Sequence, residues 1–579
     1  MASAFGAAAA ALSGAASPCA AVPVRPGAET APAVPAPSLA PWLDPLHPAS
    51  TAARASASPA APSHLARPPI VALPAVVCRC DRARVAPVPG RRSRSGLDPF
   101  AASEQDGAVA RVVVIGAGIA GLSAALAVSQ EAPPGTRVVL VDGASKVGGK
   151  LRVSPVGGLP VDEGAESFLA RQKEALELAR AVGLGRELVH PVTTEAAVAI
   201  DGVRHRLPAR TVLGVPGDRG ALRRSGLLTE AGLAAIGADK AEPAPLGDPA
   251  VGQYVGRRLG REIVDRLVDP LLGGVYAGRA DALSLRATMP ALAAALDRDG
   301  GKLISAARSV VDAAPPDAGP VFAALDGGLG KLPEAVARAS GAEVRLRLPV
   351  RRIERTSGGF RLVGGPVPDP VMIAADAVVV AAPAGKAAGL LEGLAPWAAH
   401  ELAAMEYASV GIVTLAFPTS ALAGLTGSGL LVPTVEGGGA VKAVTYSSRK
   451  WRHLAGHDVA IVRASVGRHR EARVLHRDDT ELVRLVLGQL AALAGIRAAP
   501  VAHRVTRWGG ALPQYAPGHL ERVRRIRADV ARVPGLAVCG AAFDGVGVPA
   551  CIRSGYAAAG EVVEHLRESM RGSEWQAGP

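Results

Sequence analysis

Aromatic side chains make up only 3% of this 579-residue chain, and cysteine occurs five times. Cys19, Cys78, Cys80, Cys539 and Cys551 are too few and too scattered for a disulfide framework, which points to a reducing compartment. Cys78-Arg-Cys80 lacks CxxC spacing and a matching second pair, and no HExxH surrounds His453 and His457. No metal is therefore expected, and the two histidines, which could share a helix face, read as solvated. The formal charge of +13 would suit nucleic acid, anionic lipid or an acidic ligand. Nucleic acid is excluded as a partner, because the arginines are dispersed, aromatics are scarce and no zinc-finger, RRM or KH signature occurs. Val112–Gln130 is uncharged over 19 residues, yet its glycines fit a strand-then-helix unit better than a membrane span. At most, contact with a membrane surface is expected.

What is abundant divides the chain. Residues 1–106 are rich in Ala, Pro and Ser and carry nine arginines, no lysine and six acids. Such a segment buries too little apolar surface to offset its ordering entropy, so disorder is expected. It reads as a mis-started or dispensable N-terminus, with an organellar transit peptide as the alternative. The next methionine is Met289, so a later start would need a different codon. The remainder alternates strand and helix patterns, which predicts an α/β fold. Val344–Ile353 and Ala377–Ala381 read as strands. Gly252–Val268 reads as a helix with Tyr254, Val255, Leu259, Ile263 and Leu267 near one face.

The most informative stretch is Val112–Gly121, VVVIGAGIAG. A β-branched apolar run ends at Gly116, Gly118 and Gly121, which supply a tight turn, close backbone approach to a pyrophosphate, and room for helix–sheet packing. The helix that follows turns its amide end toward phosphate. Asp142 closes the next strand, RVVLVD, 21 residues beyond Gly121, where a carboxylate can take ribose hydroxyls. A second glycine-rich turn, Asp544 to Pro549, precedes a helical run over Cys551–His565. A second helix N-terminus there could stabilise negative charge, and Gly540 and Gly545 would let the backbone come close to a ligand.

Further blocks carry a family resemblance. Asp142 to Leu151 (DGASKVGGKL) resembles the acid-then-GG stretch of flavin amine oxidases, and Asp162 to Phe168 (DEGAESF) follows it. More discriminating are LVDPLLGGVYAG (Leu267–Gly278), LSLRATMP (Leu283–Pro290), FAALDGGLGKLP (Phe322–Pro333), WGGALPQYAPGH (Trp508–His519) and Ala537–Ala559. Together they are similar to the bacterial porphyrinogen oxidases of haem biosynthesis, of the high-GC Gram-positive type, over roughly residues 107–571. Two departures stand out: position 142 is Asp where such enzymes more often have Glu, and Lys146 replaces the usual Arg.

The resemblance implies a Rossmann-type FAD-binding domain with an inserted α+β substrate domain and a helical subdomain. The expected boundaries are 107–190, 320–385 and 500–571 for the FAD domain, 191–210 and 386–499 for the substrate sheet, and 211–319 for the helices, with 572–579 a flexible end. FAD contacts are expected from Gly116, Gly118, Ile119, Ala120, Gly121, Asp142, Gly143, Lys146, Gly149 and Lys150. Further contacts are expected from Gly164, Ala165, Glu166, Ser167, Val350, Trp508, Gly540, Asp544, Gly547, Val548 and Pro549. The implied reaction is hydride removal from a porphyrinogen to the flavin, three times over, with O2 reduced to peroxide. No catalytic base or triad is required, and none is assigned. Coproporphyrinogen III is the expected substrate and protoporphyrinogen IX the alternative. A flavin amine oxidase, a carotenoid desaturase or a non-catalytic flavin-bound pathway partner are more distant readings. Arg171 and Lys173 are expected to receive propionates, unless they are a solvated pair opening a helix. Tyr276, Phe322 and Leu329 are candidate macrocycle walls, or plain packing. Other haem-pathway enzymes are expected partners for product transfer, in a cytoplasmic setting; oligomeric state is left open.

Overall fold

The computed structural model describes residues 109–237, 239, 247–314, 319–435 and 439–576. The expectations for residues 1–106, with Cys19, Cys78 and Cys80, lie outside the described residues. The apolar run predicted as a strand is β1 (Arg111–Ile115), followed by helix α1 (Ile119–Glu131) and β2 (Arg137–Val141). With β3 (Glu343–Arg345), β4 (Ala377–Val380) and β5 (Leu536–Val538) these make a five-stranded sheet in the order β3-β2-β1-β4-β5. Every neighbouring pair is parallel. β1 lies at the centre with both faces covered, which is why it is apolar without alternation.

α1 is buried along ten consecutive residues, Ile119 to Val128. One side meets the sheet and another meets the C-terminal helix α2 (Val548–Gln576) in a shared core. Gly555 makes that contact possible: a Cβ there would stand 2.2 Å from the Ala120 carbonyl oxygen. α2 starts before the expected Cys551 and runs into the segment expected as a flexible end, of which 577–579 lie outside the described residues. The opposite face of the sheet is covered by helices Ala384–Leu391, Pro396–Ala403 and His519–Val530 and by the small sheet Val350–Thr356, Gly359–Gly364 and Val371–Ala375.

A second, seven-stranded sheet runs Ala502–Pro513, Tyr407–Pro418, Val459–Val466, Val441–Thr445, Gly429–Leu431, Ala196–Ile200, Val203–Arg206. It is antiparallel except where Gly429–Leu431 meets Ala196–Ile200. Helix Asp479–Ala494 packs on its apolar face. The helical part, among residues 211–314, has a core around Leu267, Leu271, Leu285 and Leu296 that it shares with Val198, Ile200 and Leu431 of that sheet.

Several sequence expectations need correction. Val344–Ile353 is not one strand: β3 belongs to the parallel sheet and Val350–Thr356 to the small one. Arg347 at φ +56° and Pro349 make the corner between them. The helix over Gly252–Val268 breaks at Gly260, whose φ of +92° no L side chain adopts comfortably. Its five apolar positions are nonetheless all core, as periodicity indicated. His453 lies in a short 3₁₀ turn and His457 in a loop beyond it, so the pair shares no helix face. Burial also pushes the His453 pKa down, unlike a solvated imidazole. Two boundaries shift: residues 386–403 pack with the parallel sheet, and the strand Ala502–Pro513 belongs to the seven-stranded sheet. Among the described residues, no helix is long and apolar enough to cross a membrane.

Candidate cofactor and substrate site

The glycine turn connecting β1 to α1 is shaped by what it omits. Gly116 sits at φ +112°, and a Cβ there would lie 2.5 Å from the Ala381 carbonyl oxygen. A Cβ on Gly121 would lie 1.9 Å from the Gly116 oxygen, so this glycine lets the helix close on the turn. Gly118 differs: nothing stands within 4 Å of its Cβ position, and its extended φ of −74° imposes no need for glycine. Gly118 is also the N-cap of α1, makes no side-chain cap, and no acid occupies the first turn. The start of α1 is therefore uncapped by any side chain, with open space at the Gly118 Cβ position.

Asp142 ties this turn together. One carboxylate oxygen accepts the Ala117 amide at 2.7 Å and the other the Ala144 amide at 2.7 Å. A carboxylate has about four acceptor positions, so two are not used by these amides. Gly148 donates its amide to the Ala117 carbonyl, which brings the Gly148-Gly149-Lys150 turn against Gly118. Gly143 packs against Pro349, and Leu348 donates to the Asp142 carbonyl, so the start of the Val350 strand also borders this end. Lys146 is exposed. Burial lowers the Lys150 pKa, with Cys551 of α2 as its charge neighbour acting the other way.

The second glycine turn follows β5, two strands from β1 in the same parallel sheet. Gly540 (φ +124°) leaves open space at its Cβ position and donates its amide to the Ser554 hydroxyl at 3.1 Å. Gly545 has φ +138° and accepts a thiol contact from Cys551 at 3.7 Å. Asp544 accepts from Arg527 at 2.6 Å. Gly547 begins the α2 turn, its carbonyl accepting the Cys551 amide, and Val548 and Pro549 follow as its first residues.

The Asp162 to Phe168 motif is built differently. Glu166 is closed inside an ion cluster: Lys450 donates to it at 2.8 Å, Arg463 at 2.5 Å and the Ser447 hydroxyl at 3.3 Å. The Lys450 and Arg463 side chains have no exposed surface. Arg463 also donates to the Gly164 carbonyl at 2.6 Å. The two cations hold the Glu166 carboxyl well below the usual range, against its desolvation. Nearby Asp162 accepts the Leu329 amide at 2.8 Å, and burial pushes its pKa up to about 7 despite Arg463. Ala165 is half-buried and Ser167 is buried with an unpartnered hydroxyl. Trp508 closes the group from the sheet side: its indole N–H donates to the Glu163 carbonyl at 3.0 Å and its ring carries the Arg152 guanidinium at 4.5 Å. A Cβ on Gly164 would meet that ring at 3.4 Å and the Lys150 oxygen at 2.2 Å.

The five candidate substrate contacts do not converge on one point. Arg171 is exposed, and Lys173 is an exposed ion-pair partner of Glu177 at 3.4 Å before helix Glu174–Ala181. Phe322 and Leu329 are fully buried, Phe322 in a strand paired with Leu169. Tyr276 is 7% exposed and packs against Tyr515 instead. Lys450, Arg463, Arg152 and Tyr515 were missing from the sequence reading. Arg463 had a signal, a lone charge within the apolar strand VAIVRASV, since a charge buried there requires a partner. Among the described residues no His, Cys, Asp and Glu group is arranged to hold a metal.

These features have counterparts in known proteins. Residues 119–563 match the family described as flavin containing amine oxidoreductase. A coproporphyrinogen III oxidase of Mycobacterium tuberculosis is 38% identical over 459 residues, covering 78% of this chain and 97% of its own. That of Bacillus subtilis is 31% identical, covering 79% and 98%. A candidate protoporphyrinogen oxidase from Exiguobacterium sp. 255-15, a solved structure at 30% identity, superposes with a TM-score of 0.71 over 79% of this chain and 99% of that one. The chain belongs to the flavin containing amine oxidoreductases and, within them, to the family of the coproporphyrinogen III oxidases. It is thus an oxidoreductase of a flavin-using class.

Proposed function

We propose that this protein is an FAD-dependent oxidase that converts coproporphyrinogen III to coproporphyrin III with O2 as acceptor, releasing peroxide, in haem biosynthesis. The observation that carries the substrate assignment is colinear similarity along 97% of a relative bearing that name. The FAD assignment rests on the open, uncapped amide end at Gly118 and the second open turn at Gly540. Bound flavin would accept hydride, and removal of three hydrides accounts for the six electrons. The chain's own residues bind and orient. The Ile119–Ala120 amide end and Gly118 would receive the pyrophosphate, Asp142 the ribose, and Val350 the adenine side. The Gly540–Pro549 turn, Lys150 and the Trp508–Gly164 contact would border the flavin. Glu166, enclosed by Lys450 and Arg463, would hold that border in place rather than touch the ligand.

Side-by-side anaerobic reduction of the bound flavin by coproporphyrinogen III and protoporphyrinogen IX tests this reading. Faster reduction by coproporphyrinogen is expected, and the opposite order would make the protein a protoporphyrinogen oxidase. A protein that takes up no FAD would defeat the cofactor assignment. Arg171→Ala is expected to raise KM for coproporphyrinogen several-fold with little change in kcat, as for uniform binding. An unaltered KM would remove Arg171 from the site.

A further inference from the structure

Residues 513–519, Pro-Gln-Tyr-Ala-Pro-Gly-His, touch three parts of the molecule. Toward the seven-stranded sheet, Pro513 pairs with Tyr407 and Gln514 donates its amide to the Glu406 carbonyl. Toward the helical part, the Gln514 side-chain amide donates to the Tyr276 carbonyl at 2.8 Å and the Tyr515 carbonyl accepts the Ser284 amide at 2.7 Å. Toward the second glycine turn, the Tyr515 hydroxyl donates to the Ala541 carbonyl at 2.6 Å. The Tyr515 ring packs against two others. Its centroid lies 5.5 Å from that of Tyr276 and 3.8 Å from that of His519, the latter ring stacked at 14°. His519 is 2% exposed, and its imidazole meets the Phe543 backbone of that same turn. Burial pushes its pKa down to about 4, so the stacked ring is neutral at pH 7.

We propose that Tyr515 is a positioning residue: its hydroxyl fixes the turn that begins at Ala541 relative to Tyr276, and His519 holds its ring in that orientation. The proposal rests on the reading that FAD lies along the Gly540–Pro549 turn. A phenol packed against two rings holds its oxygen more narrowly than a free side chain. Its contacts with the Ala541 carbonyl and the Gly545 backbone thus transmit the position of the helical part to the backbone that would face the flavin.

Tyr515→Phe removes only these hydroxyl contacts. Thr288→Val is the control, because the Thr288 hydroxyl is equally buried and donates to the Ser284 carbonyl, away from the turn. Purified holoproteins would be compared for thermal midpoint, FAD dissociation constant, visible circular dichroism of the bound flavin, kcat and KM. Both variants are expected to melt earlier than wild type. Only Tyr515→Phe is expected to weaken FAD about tenfold, alter the flavin dichroism and lower kcat about tenfold with KM within twofold. His519→Ala, which removes the stacked ring, should move with Tyr515→Phe. If Tyr515→Phe matches Thr288→Val in every flavin property, Tyr515 is packing alone and the proposal fails. A wild-type protein that binds no FAD would instead overturn the cofactor reading beneath it.

Discussion

The Gly116–Gly121 turn and the Asp162–Phe168 motif lie side by side in the same domain, yet they reach order by opposite means. The first does without side chains, and only the absence of Cβ atoms lets its backbone close up. The second brings three charges inside, with the Glu166 carboxylate accepting from Lys450, Arg463 and Ser447. One is a joint made of backbone, the other a joint made of charge. Glu166 is linked to Lys450 and Arg463 across nearly three hundred residues of sequence, and so joins the Asp162–Phe168 motif to the Val459–Val466 strand of the seven-stranded sheet.

The largest effect is expected from Gly121→Val, whose Cβ has no room beside the Gly116 oxygen. Helix α1 could not close on the turn, and no cooperatively melting, yellow protein should be recovered on purification. Glu166→Gln comes next. It leaves Lys450 and Arg463 buried without their counter-charge, and removing one partner of a buried pair costs about 3–5 kcal/mol. Chemical denaturation should show that loss. A change under about 1 kcal/mol, the scale of an exposed pair, would mean that the joint is wetter than its burial indicates.

Gly118→Val should invert the pattern. The extended backbone accepts valine and nothing in the protein obstructs it, so the thermal midpoint of the flavin-free protein should stay within a few degrees of wild type. FAD retention, read from absorbance after gel filtration, should be lost. Retained flavin would displace the pyrophosphate from Gly118. The smallest effect concerns pH. Asp162 titrates near pH 7 when folded, against about 3.9 in an unfolded chain. The native state then binds more protons than the unfolded one between about pH 4 and pH 7, so this group makes stability fall as pH rises through that window. Asp162→Asn should flatten that part of the stability curve. A curve unchanged in slope would show that Asp162 is ionised throughout.

How much of this could be read from the residues follows from the range of the forces involved. The β1–turn–α1 unit was legible because its constraint is local: three glycines, an apolar run and an acid at a set distance all act within about thirty residues. The substrate sheet was legible only in outline. Whether the strand Ala502–Pro513 joins one sheet or the other depends on its partner Tyr407–Pro418, which no local pattern names. The same holds for Glu166, which sits in a motif that resembles a cofactor contact while its partners lie far off in the helix Ser447–Lys450 and the strand Val459–Val466. Tyr515 escaped notice because an aromatic in a Pro- and Gly-containing segment signals a loop, and its importance lies in the three neighbours it meets.

The contact of Gly555 with Ala120 has a consequence for selectivity. Two helices that meet backbone to backbone cannot slide or part without breaking the core between them. The start of α1 and the start of α2 are therefore the jaws of a fixed caliper. On the proposed reading, a dinucleotide reaching both would gain from each end at once, and a mononucleotide would fill one jaw and leave the other to water.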